Sequence, residues 1–226
     1  MPGPRALIFD FDGVITDSEP LHLAAFQRAL GAEGIALDRD TYYAEYLGFN
    51  DHDAVAHALA RAGRPARADA VRALVERKAA HFIALVGRGA PLFPGVAALV
   101  RTAAAHVPLA IASGALRHEI ELVLRGAGLA DAFAAIVSAE DVREGKPSPE
   151  PFLAVLAALR RRVGDLEAGE CLVVEDSEPG VAAARAAGMR CLAVTNSVSR
   201  QALADADRVV ASLEEVRWDE LARLFA

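Results

Sequence analysis

The chain has 226 residues, a formal net charge of −7, and a composition that is 54% hydrophobic but only 6% aromatic. That length suits one compact domain, or a core with one insertion, and is enough to bury a large interior. The acidic balance argues against nucleic acid or an anionic membrane as a standing partner, and no apolar run approaches the ~20 residues of a membrane span.

The first apolar run, Ala6–Phe11, reads as a buried strand that ends in Asp10-Phe11-Asp12-Gly13. The five residues before it show no signal-peptide pattern. Side chains two apart on an extended segment share a face, so Asp10 and Asp12 are expected to converge at the strand's carboxyl end. At about 4 Å and an effective dielectric near 20, two such charges repel by roughly 4 kcal/mol, which asks for a metal ion or a proton between them. The alternative is an N-cap aspartate beside a solvated neighbour.

From Ser18 to Arg88 the chain reads as helix after helix: about Glu19–Leu30, Asp40–Tyr46, Asp51–Ala62 and Arg67–Val86, punctuated by glycines and Pro65. Beyond it, strands at Pro108–Ala112, Ala135–Ser138, Cys171–Val174, Arg190–Val194 and Arg208–Val210 alternate with helices. The helices are Gly95–Ala105, Ala115–Gly126, Pro149–Val163, Ser177–Ala187 and Asp219–Phe225. Short, wholly apolar runs between amphipathic stretches predict a doubly wound α/β fold with a parallel sheet covered on both faces. Residues 1–17 and 89–226 would form this core and 18–88 an all-helical insertion. In open α/β sheets ligands bind at the carboxyl ends of the strands, so an insertion leaving from that end is placed to act as a lid. Cys171 and Cys191 each open an apolar run, which reads as two buried reduced thiols and a cytoplasmic protein.

Three more strand ends carry polar residues. Ser113 and Gly114 follow the second strand; a hydroxyl and backbone N–H groups there suit a phosphate oxygen at a helix N-terminus, or Ser113 is a plain helix cap. Lys146 precedes a helix that Ser148 can cap and Pro149 can open. A cation at that end of a helix opposes the dipole, so a neighbouring anion would explain it. Glu175 and Asp176 end the strand that starts at Cys171, and Ser177 is placed to cap the helix that follows. Of the 24 basic residues only Lys78 and Lys146 are lysines, which suggests positions that need a compact ammonium rather than a guanidinium fork. Oxygen ligands without histidine or thiolate select a hard cation, Mg²⁺ first. A metal, a lysine and a hydroxyl around a carboxylate nucleophile are what phosphoryl transfer requires.

With Asp10-Phe11-Asp12-Gly13-Val14, Ser113, Lys146 and Glu175-Asp176 in this order, the chain resembles the haloacid dehalogenase-like superfamily of phosphatases and phosphomutases. It is most similar to the β-phosphoglucomutase and phosphoglycolate-phosphatase-like branch. The resemblance implies a Rossmann-like core with an inserted helical cap. It implies Asp10 as the nucleophile that forms an aspartyl-phosphate, and Asp12 as the general acid and base. Mg²⁺ would be held by the carboxylates of Asp10 and Asp176 and the backbone carbonyl of Asp12, with Glu175 at or next to the ion. Ser113, the Gly114 N–H and Lys146 would hold the phosphoryl group. The acid at Asp12 argues against dehalogenation, because a halide needs no protonated leaving group.

Cap residues bear on the acceptor. Related mutases carry a basic residue and an arginine around a glycine in a cap loop. The segment Tyr46-Leu47-Gly48-Phe49-Asn50-Asp51 keeps Gly48, with Asn50 beside it as a second candidate, but lacks that arginine. His22 and Lys78 match mutase cap residues; as alternatives, His22 is a half-buried packing residue and Lys78 lies on a solvated helix face. The resulting expectation is a Mg²⁺-dependent phosphatase of a small phosphorylated metabolite, monomeric or weakly dimeric. A β-phosphoglucomutase-like mutase is the alternative, and a non-catalytic phosphoester-binding module a third.

Overall fold

The structure is a computed structural model that describes residues 3–46, 49–87, 89 and 91–225. The chain divides into two compact units, residues 1–17 with 91–226, and residues 18–90.

The first unit is α/β. Its strands are β1 (Ala6–Phe9), β2 (Leu109–Ala112), β3 (Phe133–Val137), β4 (Cys171–Glu175), β5 (Arg190–Val194) and β6 (Arg208–Val210). All adjacent pairs are parallel, in the order β3-β2-β1-β4-β5-β6. Strands β1, β2 and β4 are buried at every residue, as their unbroken apolar sequences require when helices cover both faces. From β1 the chain winds outward through β2 and β3, then crosses to β4 on the other side. In this order the crevice between β1 and β4 is the topological switch point where ligands bind.

Small deviations from the expected elements have local causes. β1 ends at Phe9 rather than Phe11, because the Phe11 carbonyl turns to accept N–H bonds from Ile15 (2.8 Å) and Thr16 (3.2 Å). The edge strand β3 begins at Phe133, two residues before the expected start, and is only half-buried over its first four residues. A one-sided edge strand lacks the continuous apolar signal of a central one.

Helices Val96–Ala104, Arg117–Gly126, Glu150–Val163 and Glu178–Ala186 connect these strands, and Trp218–Leu221 follows β6. Phe152, Val155, Leu156 and Leu159 of Glu150–Val163 pack with Ala6, Ile8, Ala110 and Val173 of the sheet in one apolar cluster. Both cysteines are free and buried, and burial pushes both thiols up from their ordinary range.

The second unit is all-helical: α1 (Glu19–Gly31), α2 (Arg39–Glu45), α3 (Asp51–Arg61) and α4 (Ala68–Val86). It has its own core of Leu23, Phe26, Leu30, Tyr42, Val55, Leu59, Val71 and Leu74 among others. Asp38 caps α2 through the Thr41 N–H (2.9 Å), and Asn50 caps α3 through the Asp53 N–H (3.0 Å). Among the described residues no helix is long and apolar enough to cross a membrane.

Candidate active site

Asp10 is the first residue beyond β1, and its N–H donates to the Val174 carbonyl of β4 at 2.9 Å. The residue is buried. Beyond it the backbone turns through Gly13, whose φ of +81° lies in the left-handed region that glycine tolerates without strain. On β4 the strand runs one residue further and delivers Glu175 and Asp176, both buried. One carboxylate oxygen each from Asp10, Glu175 and Asp176 lie within 4.8 Å of one another.

Lys146 bridges the group. Its ammonium donates to Asp10 Oδ1 and to Glu175 Oε1, each at 2.6 Å, and stands 5.0 Å from the centroid of the Phe152 ring. Glu175 is saturated: its Oε2 accepts the Asp176 N–H (2.9 Å), the Ser177 N–H (3.1 Å) and the Ser177 hydroxyl (2.9 Å). Burial raises Asp10 well above the usual aspartate value; Lys146 opposes this, while Glu175 and Asp176 add to it. Asp176 is pushed up to about 6 by burial, with Glu175 contributing and Ser197 opposing. Burial also works against the charge on Lys146, but Asp10 and Glu175 outweigh it and hold the ammonium above its usual value.

Of the three clustered carboxylates, two thus share one half-buried cation. The excess negative charge and the all-oxygen donor set fit a hard divalent ion such as Mg²⁺.

Asp12 is half-buried, and its carboxylate is not one of the converging three. Asp12 lies three residues beyond the end of β1, outside the regular strand. Asp12 acts on Asp176 electrostatically, so it remains near the group.

Ser113 is buried one residue past β2; its N–H donates to the Val137 carbonyl (3.0 Å), and its hydroxyl accepts the Ala115 N–H (3.0 Å). It is not the cap of the next helix, which starts at Arg117 with Leu116 at the cap position. Gly114 is exposed, and a Cβ built on it would meet nothing within 4 Å. Ser148 is displaced in the same way: Pro149 takes the cap position, and the Ser148 hydroxyl accepts the Glu150 N–H at 3.3 Å. Ser177 does cap its helix, through the Gly180 N–H at 3.2 Å.

Gly180 is required by Glu175. A Cβ there would stand 1.9 Å from the Glu175 carboxyl carbon, and that carboxylate is fixed on both oxygens. Gly180→Ala is expected to cost roughly 1–3 kcal/mol through overpacking, read as a lower urea midpoint. Unchanged stability would show that Glu175 can move aside.

In the helical unit, Lys78 is only 1% exposed, which overturns the solvated-face alternative. Its ammonium reaches both Asp51 oxygens (2.7 and 2.8 Å) and His22 Nδ1 (2.8 Å), so α1, α3 and α4 meet at one ion pair, buried on the lysine side. His22 stacks on Phe82 with ring centroids 4.2 Å apart. Asn50 is occupied in capping α3 and in a second bond to Asp53 (2.7 Å); Gly48 lies outside the described residues.

Burial, aided by Lys78, lowers His22 to about 3. A histidine depressed in the fold stabilises it above the unfolded value and loses that contribution as pH falls toward the folded value. Below about pH 6.5 the wild type should therefore lose up to roughly 1.4 kcal/mol per pH unit from this group. His22→Asn, which keeps an acceptor for Lys78, should lack that slope in urea unfolding between neutral and mildly acidic pH. Equal slopes would contradict the assignment.

Two further residues reach the site unannounced by the sequence reading. Asn196 Nδ2 donates to the Gly13 carbonyl at 2.7 Å, and the Ser197 hydroxyl donates to Asp176 Oδ2. Both follow β5, where Thr195-Asn196-Ser197 interrupts the apolar run, the same signal that marks the other strand ends.

This geometry, acids at the switch point of a parallel sheet with a half-buried lysine between two of them, is of the phosphoryl-transfer type. The family model for haloacid dehalogenase-like hydrolases matches residues 4–188; the chain belongs to that family. Protein CbbY encoded on a plasmid of Cupriavidus necator is 37% identical over 212 residues, covering 87% of this chain and 80% of that protein. The phosphoglycolate phosphatase of Yersinia pseudotuberculosis is 32% identical over 192 residues, covering 84% and 81%. Among solved structures, a CbbY variant from Rhodobacter sphaeroides in complex with xylulose-(1,5)-bisphosphate superposes with a TM-score of 0.77 at 28% identity, over 94% of this chain and 96% of that one.

Proposed function

We propose that the protein is a Mg²⁺-dependent phosphatase that hydrolyses a small phosphorylated sugar or organic acid through an aspartyl-phosphate on Asp10. The observation that carries this reading is the buried meeting of Asp10, Glu175 and Asp176 with Lys146 on the nucleophile's own oxygen. Two of the related proteins, a phosphoglycolate phosphatase and one solved in complex with a sugar bisphosphate, support the substrate class.

In this reading the free Asp10 oxygen attacks phosphorus, and the bond from phosphorus to the ester oxygen breaks. Asp12 gives its proton to the departing alkoxide. Asp12, now a carboxylate, takes a proton from water as that water attacks the phosphorus of the aspartyl-phosphate, which releases phosphate and restores Asp10. General acid–base help of this kind contributes about 10²–10⁴-fold. Lys146 offsets negative charge on Asp10 and the phosphoryl oxygens, and Ser113 with the Gly114 N–H binds those oxygens. Asp10, Asp176 and the Asp12 backbone carbonyl would hold Mg²⁺; Glu175, saturated by its donors, orients Lys146. The bound ion supplies charge neutralisation between carboxylates and phosphoryl group.

Lys78 spends its three donors on Asp51 and His22, which leaves no free ammonium there for a second phosphate and weighs against the mutase.

The test is phosphate release across hexose, pentose and three-carbon phosphoesters and phosphoglycolate, with Mg²⁺, Mn²⁺, Ca²⁺ or chelator. Release with Mg²⁺ or Mn²⁺, and none with chelator or with Ca²⁺, whose coordination is looser, is expected. Equal release in chelator would contradict the metal role. Rearrangement of β-glucose 1-phosphate in place of any release would make the protein a mutase.

A further inference from the structure

Thr195, Asn196 and Ser197, which follow β5, include no acid, base or cation, yet Asn196 and Ser197 touch both halves of the metal-binding group. Asn196 Nδ2 holds the Gly13 carbonyl at 2.7 Å, and Ser197 holds Asp176 Oδ2. These two anchor points are themselves crowded together. A Cβ on Gly13 would stand 1.8 Å from Asp176 Oδ2 and 2.8 Å from Ser197 Oγ, so the turn that carries the Asp12 backbone runs directly against the Asp176 carboxylate.

Asp176 has reason to swing away. It lies with Asp10 and Glu175 in one acidic cluster, and Lys146 bonds the other two carboxylates, not Asp176. The Ser197 hydroxyl donates to the Asp176 carboxylate and so ties it to the loop after β5. The Asn196 bond acts on the opposite side of the same contact by fixing the Gly13–Val14 peptide, one residue beyond the Asp12 carbonyl.

We infer that Asn196 and Ser197 are positioning residues that hold Asp176 and the Asp12–Gly13 turn in register for the divalent cation. Neither needs to touch the ion: Ser197 fixes the Asp176 carboxylate and Asn196 fixes the turn that follows the Asp12 carbonyl, so the ion would be bound without reorganising its ligands. Outer contacts of this type change metal affinity by about 10–100-fold when removed. The inference rests on the proposed Mg²⁺ site.

The experiment is calorimetric titration of Mg²⁺ into metal-free protein, for the wild type, Ser197→Ala, Ser197→Thr and Asn196→Ala, with urea unfolding of each metal-free form. Ser197→Ala and Asn196→Ala should weaken Mg²⁺ binding by about ten-fold or more, with metal-free stability unchanged. Ser197→Thr, which restores the hydroxyl, should recover the affinity. Unaltered affinity in both alanine variants, against a wild type that binds, overturns the inference alone. Weakened affinity that tracks lost metal-free stability also overturns it, because a general structural role would then suffice. A wild type that binds no Mg²⁺ overturns both this inference and the metal site beneath it.

Discussion

Asp10→Asn is expected to remove turnover while leaving the fold intact. An amide cannot attack phosphorus, and loss of a nucleophile costs on the order of 10⁴–10⁶-fold in kcat. The environment explains why the fold should tolerate the change. The asparagine Oδ1 can still accept from Lys146 where Asp10 does at 2.6 Å, and the Asp10 N–H to Val174 is backbone. Burial and two neighbouring carboxylates already raise Asp10, so a neutral side chain relieves repulsion in the metal-free protein. Stability equal to or above that of the wild type without metal, with turnover gone, is the expected pair of results from urea unfolding and phosphate release. Substantial residual turnover would remove Asp10 from the nucleophile's role.

Lys146→Ala should damage both properties. It leaves Asp10 and Glu175 buried without their shared cation, and breaking a buried pair from one side costs about 3–5 kcal/mol. Loss of one electrostatic stabiliser in a water-poor site lowers kcat by about 10²–10³-fold. Lys146→Arg separates the two effects. It keeps the charge, so part of the stability should return. A planar fork cannot place a single nitrogen 2.6 Å from both carboxylates, as the ammonium does, so turnover should stay nearly as low as in the alanine variant. Wild-type rates from Lys146→Arg would show that the site needs only a positive charge.

The scarcity of lysine was a legible signal for this reason. Lys78 and Lys146, the two lysines among 24 basic residues, both sit between carboxylate oxygens 2.6–2.8 Å away. Arginines fill the exposed ion pairs, such as Arg5 with Glu170 and Arg217 with Asp219. What composition could not show is the partner: Asp51 joins Lys78 and His22 only because α1, α3 and α4 converge.

Central strands were legible because burial on both faces makes them apolar throughout, and their polar ends therefore stood out. Acids on β1 and β4 meet because these strands are neighbours across the switch point, which sequence order alone does not reveal. The same ignorance hid Asn196 and Ser197: a polar loop after β5 gains meaning only once β5 lies beside β4. The end of β1 was misjudged for the opposite reason, since an apolar run through Phe11 hid the turn in which the Phe11 carbonyl accepts from Ile15 and Thr16. Close approaches such as Gly180 to Glu175, set by packing of a helix start on a strand end, leave no periodic trace.

The most direct test of the account is the mass of the Asp10-containing peptide after rapid acid quench of the wild-type enzyme turning over its best ester with Mg²⁺. The account predicts an added phosphoryl group on Asp10, absent from Asp10→Asn and from protein quenched with chelator. Rapid phosphate release with that peptide unmodified, or with the phosphoryl group on another residue, would contradict it.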